Sequence, residues 1–210
     1  MARKTGWGVR PKNDQQAEAM KHLLDASIDL VVLEGIAGSG KTYLALAAAL
    51  EQVIEQHTYS EIIFTRAPIA VGDDLGFLPG TIDEKMLPWC GALLDNMEAL
   101  KLDPKDAERY IKLLAMQHMR GRSFSRRYII IDEVQNITVQ QLKVLLTRAG
   151  EDTKIVCLGD TEQIDNRKIN KGADALSFLC KVASSVDFIK VVELPDGVRS
   201  RLATWSAQNL

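Results

Sequence analysis

Leu30-Val-Val-Leu-Glu-Gly35-Ile-Ala-Gly-Ser-Gly-Lys41-Thr42 is the stretch that decides the fold of this chain. It opens with an apolar run and passes through Gly35-Ile-Ala37-Gly38-Ser39-Gly40-Lys41-Thr42, which fits the pattern G-x-x-x-x-G-K-[ST]. It then enters an Ala- and Leu-rich segment, Thr42–Gln56. A buried strand, a glycine loop and a buried helix follow from that order. Glycines let the backbone wrap closely enough to aim its amides at phosphate oxygens. The helix N-terminus adds positive potential at the same place. Lys41 is placed to reach β- and γ-phosphates, and the Thr42 hydroxyl to ligate Mg²⁺. Gly35, Ala37, Gly38, Ser39, Gly40 and Tyr43 complete the expected nucleotide contacts.

Working outward, four more apolar runs stand apart: Ile62–Thr65, Tyr128–Ile131, Ile155–Leu158 and Ile189–Val192. Each is apolar on consecutive residues, as strands buried on both faces of a parallel sheet are. Helical patterns alternate with them. Ala17, Met20, Leu23 and Leu24 mark a face before the first strand. Val139, Leu142, Leu145, Leu146 and Ala149 mark another, with Thr138 as N-cap. The expectation is an α/β fold, a P-loop NTPase with a mainly parallel five-stranded sheet flanked by helices. The connection from about 66 to 127 is read as a helical insertion, with helices near Ile82–Leu100 and Pro104–Met116. All of 1–210 is read as a single domain.

Further pieces supply chemistry. Ile129-Ile-Ile-Asp132-Glu133 ends a buried strand in two acids, a costly arrangement unless a cation partners them. Asp132 is the expected Mg²⁺ ligand, and Glu133 the base that polarises the attacking water. After Ile155–Leu158, Gly159 allows a sharp turn, and Gln163 is placed to sense the γ-phosphate or orient the water. Upstream, Gln16 carries the donor and acceptor that match the adenine N6/N7 edge, with Gln15 as the alternative.

Composition sets bounds. Lys and Arg total 26 against 28 Asp and Glu, so overall charge does not advertise a nucleic-acid binder. Cys90, Cys157 and Cys180 follow no paired spacing and read as free thiols of a reducing compartment. His22, His57 and His118 are scattered, which argues against a metal cluster. Met1-Ala-Arg-Lys-Thr-Gly-Trp7 has no apolar core of the secretory kind, and no apolar run approaches the roughly 18 residues that span a bilayer. A cytoplasmic protein without membrane contact is expected.

Together these motifs resemble the PhoH-like family, ATPases built on the core domain of superfamily-1 helicases. The resemblance runs through Gly35–Thr42, Thr65-Arg66-Ala-Pro68, Gly76-Phe-Leu-Pro-Gly80, Glu84-Lys85, Met119-Arg-Gly-Arg122, Ile131-Asp-Glu-Val-Gln-Asn136, Leu146-Thr-Arg148 and Gly159-Asp160-Thr-Glu-Gln163-Ile-Asp165. It implies a RecA/helicase-like sheet in which the strand before Gly159 lies between the P-loop strand and the Asp132 strand. It also implies ATP as nucleotide, RNA or single-stranded nucleic acid as substrate, and homo-oligomers, often hexameric rings. The chain departs from the family pattern at Ala67, at Asn166-Arg167 and at Lys171-Gly172-Ala173.

A lone core domain lacks the second lobe that supplies helicases with arginines, so Arg148 and Arg199 are candidates for reaching a neighbour's γ-phosphate. Arg120, Arg122, Arg126 and Arg127, with Phe124 as a stacking platform and Arg66 at the phosphate edge, form a candidate nucleic-acid surface. The same basic loop is alternatively a subunit contact to acids such as Asp73 and Asp74. Two rival functions are a small-molecule kinase, disfavoured by Glu133 and Gln163, and a nucleotide-dependent assembly module without a nucleic-acid substrate.

Overall fold

Strand β1 (Leu30–Gly35) sits inside a parallel sheet whose strands alternate their side chains between two apolar layers. The computed structural model describes residues 6–68, 91–166, 169–195 and 197. Among them the remaining strands are β2 (Glu61–Arg66), β3 (Ile111–Leu113), β4 (Arg127–Asp132), β5 (Lys154–Gly159) and β6 (Ile189–Leu194). Their spatial order is β3-β2-β4-β5-β1-β6, and every pairing is parallel. β5 therefore separates β1 from β4, as the family resemblance implied.

The helices are α1 (Asp14–Leu24), α2 (Lys41–Leu50), α3 (Gly91–Ala99), α4 (Pro104–Tyr110), α5 (Val139–Leu146) and α6 (Ala175–Val182). Val31, Leu33, Phe64, Tyr128, Ile130, Val156 and Leu158 pack on one side of the sheet with α1 and α2. Val32, Ile63, Ile129, Ile131, Ile155 and Cys157 pack on the other with α5 and α6. Two covered faces explain why each strand is apolar on consecutive residues. Helix starts follow local chemistry. Asn13 caps α1 by accepting from Gln16 N at 2.8 Å. Thr138 and Gln141 form a reciprocal capping box on α5.

Several expectations need correction. Among the described residues the sheet has six strands rather than five, because the segment expected to be helical as far as Met116 leaves α4 at Tyr110 and becomes β3. β3 pairs Ile111, Lys112 and Leu113 with Ile62, Ile63 and Phe64. The open edge of β2 offers backbone partners that a helix there would leave unused. α2 ends at Leu50 and continues as one π-helical turn, Glu51–Glu55, in which the buried Gln52 donates to Leu23 O at 2.8 Å. On α1 the buried face is Gln16, Ala19, Met20 and Leu23, while Ala17 is exposed. On α5 the buried pair is Leu142 and Leu145, and Ala149 is exposed. Of the range expected for the insertion's first helix, Ile82–Leu100, the described residues contain α3, and Gly76–Gly80, Glu84, Lys85 and Cys90 lie outside the described residues.

At the amino ends of the strands, Lys154 starts the central strand β5 fully buried. Its ammonium donates to the carbonyls of Asp25 (2.8 Å), His22 (3.3 Å) and Ile28, and so gathers the end of α1 and the turn into β1. Burial pushes its pKa down to about 8, against the pull of Asp25 and Asp29.

Candidate active site

Gly35 closes β1 opposite Leu194 at the end of β6. A Cβ at Gly35 would collide with the Leu194 carbonyl, so glycine alone lets the chain leave β1 this close to β6. Gly38 (φ 79) and Gly40 (φ 94) then take left-handed backbone conformations, which cost glycine little. Ser39 N closes the loop on Ile36 O at 3.2 Å. Lys41, Thr42 and Tyr43 form the first turn of α2, where amide N–H groups have no partner within the helix. Thr42 is half-buried, and Tyr43 packs partly against the core. The Ser39 hydroxyl is buried without a hydrogen bond.

Lys41 folds back over this loop. Its Nζ donates to Gly35 O and, at 3.0 Å, to Ile36 O. Burial lowers its pKa, and the carboxylates of Asp160, Asp132, Glu133 and Glu34 oppose that shift. Those four acids end β5, β4 and β1 or follow them directly, so three adjacent strands deliver their charges to one place.

Asp132 is buried at the end of β4, and its pKa is raised to about 6, first by burial and then by Glu133. Arg66, the Glu133 amide and Lys41 act against the rise. A buried acid in that condition is relieved by a cation. The Asp132 carboxylate and the Thr42 hydroxyl are hard oxygen donors of the kind Mg²⁺ takes, with phosphates filling the other positions. Among the described residues no group of three or more His, Cys, Asp and Glu could hold a metal by itself.

Glu133 has a left-handed backbone (φ 59) and both of its oxygens are engaged. Arg66 Nη2 donates to Oε1 at 2.9 Å, and Gln135 Nε2 donates to Oε2 at 2.6 Å. Gln135 also donates to Gln163 O at 3.0 Å, while its own oxygen accepts from Asp160 N at 3.3 Å. Gly159 makes room for this, because a Cβ there would lie 2.5 Å from Gln135 Oε1. Gln163 is exposed and donates from Nε2 to Asp160 Oδ2 at 2.9 Å. Asn136 Oδ1 accepts from Asp165 N and Asn166 N at 2.8 and 3.0 Å, which fixes the loop after Gln163.

The other expected residues fall as follows. Gln16 is buried beneath the P-loop, its oxygen accepting from Lys12 N at 2.9 Å and its nitrogen donating to Ser39 O at 3.0 Å. An adenine edge would have to compete for an amide already in use. Arg148 follows α5 near the amino ends of the strands, away from Lys41. Its carbonyl accepts from Phe124 N at 2.9 Å, and its buried Nε makes no hydrogen bond. Arg199 lies outside the described residues.

The basic surface changes most. Phe124 is 4% exposed and has the Arg122 guanidinium 5.3 Å over its ring, so it offers no face to a base. Arg127 pairs with Glu61 at 2.6 Å and opens β4, with Arg126 just before it, at the amino ends of the strands rather than the phosphate edge. Arg66 belongs to the acid pair. Sequence reasoning assigned no role to Gln135 and placed Arg66 with nucleic acid alone. Their positions follow from strand register, which pairs Arg66 with Asp132 and is not written in local spacing.

Known proteins identify the family and the fold. The chain is 41% identical over 212 residues to Protein PhoH2 of Bacillus subtilis, covering 97% of this chain and 48% of the relative. It is 37% identical over 208 residues to a PhoH-like protein of Mycobacterium leprae, covering 95% of this chain and 57% of the relative. The chain thus spans about half the length of the curated relatives it matches. Among solved structures, the large terminase of bacteriophage HK97 superposes with a TM-score of 0.56 at 15% identity, over 96% of this chain and 43% of that one. At that identity the likeness shows a shared fold. Residues 8–209 match the family described as PhoH-like protein, and the chain, with its P-loop NTPase fold, belongs to that family.

Proposed function

We propose that this chain binds ATP with Mg²⁺ through Gly35–Tyr43, hydrolyses it, and couples hydrolysis to binding or remodelling RNA or another single-stranded nucleic acid. The observation that carries the reading is the convergence of Lys41, Asp132, Glu133 and the Gln163 loop at the carboxyl ends of β1, β4 and β5. Ligands of open α/β sheets bind at that edge.

The roles follow from position. The amides of the loop and of the first turn of α2 bind phosphate oxygens. Lys41 exchanges its bonds to Gly35 O and Ile36 O for phosphate oxygens, which are far better acceptors for an ammonium. When bound at Asp132 and Thr42, Mg²⁺ supplies positive charge against the β- and γ-phosphates. Glu133 takes the proton of the attacking water, and Gln163 orients that water. Arginines that complete the charge come from a neighbouring subunit in a homo-oligomer, a hexameric ring being the reading favoured by the family resemblance, with Arg148 and Arg199 as candidates. The decisive experiment measures ATP turnover with and without RNA and single-stranded DNA, alongside the solution mass. Turnover stimulated by nucleic acid in an oligomer supports the reading. Binding and slow hydrolysis untouched by either nucleic acid would instead make the chain an assembly module.

A further inference from the structure

Arg66 ends β2 directly opposite Asp132 in the β2–β4 register. Its guanidinium lies 2.9 Å from Glu133 Oε1 and 3.9 Å from Asp132 Oδ2. With Gln135 on Oε2, each oxygen of Glu133 already accepts a hydrogen bond from protein, and a water must compete for the remaining lone pairs. A general base must offer a lone pair within hydrogen-bond reach of the proton it abstracts. The Arg66 guanidinium aims the Glu133 carboxylate at β2. Arginine is a permanent cation in proteins, so the grip persists until something competes for the guanidinium. It is released by a better anion for the same fork. The Arg66 side chain is 22% exposed, so a ligand at the carboxyl edge can reach it.

A phosphodiester is such a ligand, since the planar fork of arginine matches phosphate oxygens in pairs. We propose that Arg66 is a gating residue. It restrains Glu133 in the resting site, and a backbone phosphate of bound nucleic acid draws the guanidinium away and frees Glu133 for the water. The same side chain thereby reports that a strand is present and permits hydrolysis. This rests on the reading of Glu133 as the base of an ATPase. It differs from a simple phosphate contact, which would tighten nucleic-acid binding without restraining turnover.

The test uses the full chain, a 20-nucleotide single-stranded RNA, and the variants Arg66→Gln and Arg66→Lys. In Arg66→Gln, RNA-free kcat should rise by about fivefold or more, a modest share of what a general base supplies. KM for ATP should stay within about twofold, and stimulation by RNA should fall toward one. Arg66→Lys, which keeps the charge and loses the fork, should fall between. A second readout is the Arg66 side-chain NMR signal, assigned by its absence in Arg66→Gln. It should move when RNA is added to the wild type carrying a non-hydrolysable ATP analogue. Glu133→Gln should show a moved signal without RNA. A lower RNA-free kcat in Arg66→Gln overturns the proposal. So does a raised kcat that RNA still stimulates, which would assign release to another anion such as an acid of a second copy. If Arg66→Gln fails to fold, the Arg66→Lys rate and the wild-type RNA shift decide, and an unmoved signal is fatal. Failure of the underlying reading is seen separately, as near-normal turnover in Glu133→Gln or none in the wild type.

Discussion

The Gln16 side-chain amide donates to the Ser39 carbonyl at 3.0 Å, joining the helix that precedes the sheet to the middle of the phosphate loop. The bond is buried, and a Cβ at Gly40 would lie 3.2 Å from the same nitrogen. Gln16 therefore braces the loop from behind. Gln16→Ala should weaken ATP and GTP binding alike, by up to about tenfold, the value of one hydrogen bond. Titration with fluorescent analogues of both nucleotides checks this. A loss confined to ATP would restore Gln16 as an adenine reader.

Glu133→Gln keeps the size of the side chain and removes its charge. ATP binding should persist while turnover falls by about 10²-fold or more. The variant also loses the ion pair to Arg66, so ATP binding and thermal unfolding should be followed beside the rate. A rate within about threefold of wild type would remove Glu133 as the base.

Lys154 makes a prediction about stability and pH. Lys154→Met leaves the buried carbonyls of His22, Asp25 and Ile28 without their donor and should cost at least about 2 kcal/mol. The folded pKa of about 8 lies below the ordinary lysine value of 10.5, so the unfolded chain binds more protons between those values. The charging penalty is complete below the folded pKa and fades as pH rises toward the unfolded one. Wild-type stability should therefore climb with pH across that window relative to Lys154→Met. Urea unfolding of both proteins at several alkaline pH values reads the difference. Parallel profiles would contradict it.

Arg148 lies away from its own Lys41, so any action on a γ-phosphate must be on a neighbour's. Arg148→Ala should lose about 10³-fold in turnover if it is the group that reaches across. Inactive Lys41→Ala subunits, mixed with it, should then restore part of the activity. Full activity of Arg148→Ala, or of a monomer, would leave that role to another residue.

How much of this was legible depended on the range of the information. The P-loop, the Asp132-Glu133 strand end and the Thr138 cap are written within a few neighbouring residues, and each forms where the sequence places it. The position of β5 between β1 and β4 came from family resemblance, because parallel strands do not declare their order in spacing. β3 was hidden. Tyr110-Ile-Lys-Leu113 is too short to show a period, and the open edge of β2, remote in sequence, decides its conformation. Arg66 and Gln135 were hidden for a related reason. A residue after a strand has many possible partners until register selects one. Phe124 misled because an aromatic among arginines suggests a stacking platform, while tertiary packing had already used its ring.

The brevity of β3 also bears on how copies of this chain can meet. It is three residues long, and its central Lys112 side chain is exposed and paired with Glu61. A short border carrying a lysine is a poor template for another chain's backbone. In the homo-oligomer proposed above, that flank would not extend the sheet from one molecule into the next. Contacts made there by a second copy would instead use side chains of helices and loops, which part and re-form more readily than a continuous ladder of backbone bonds.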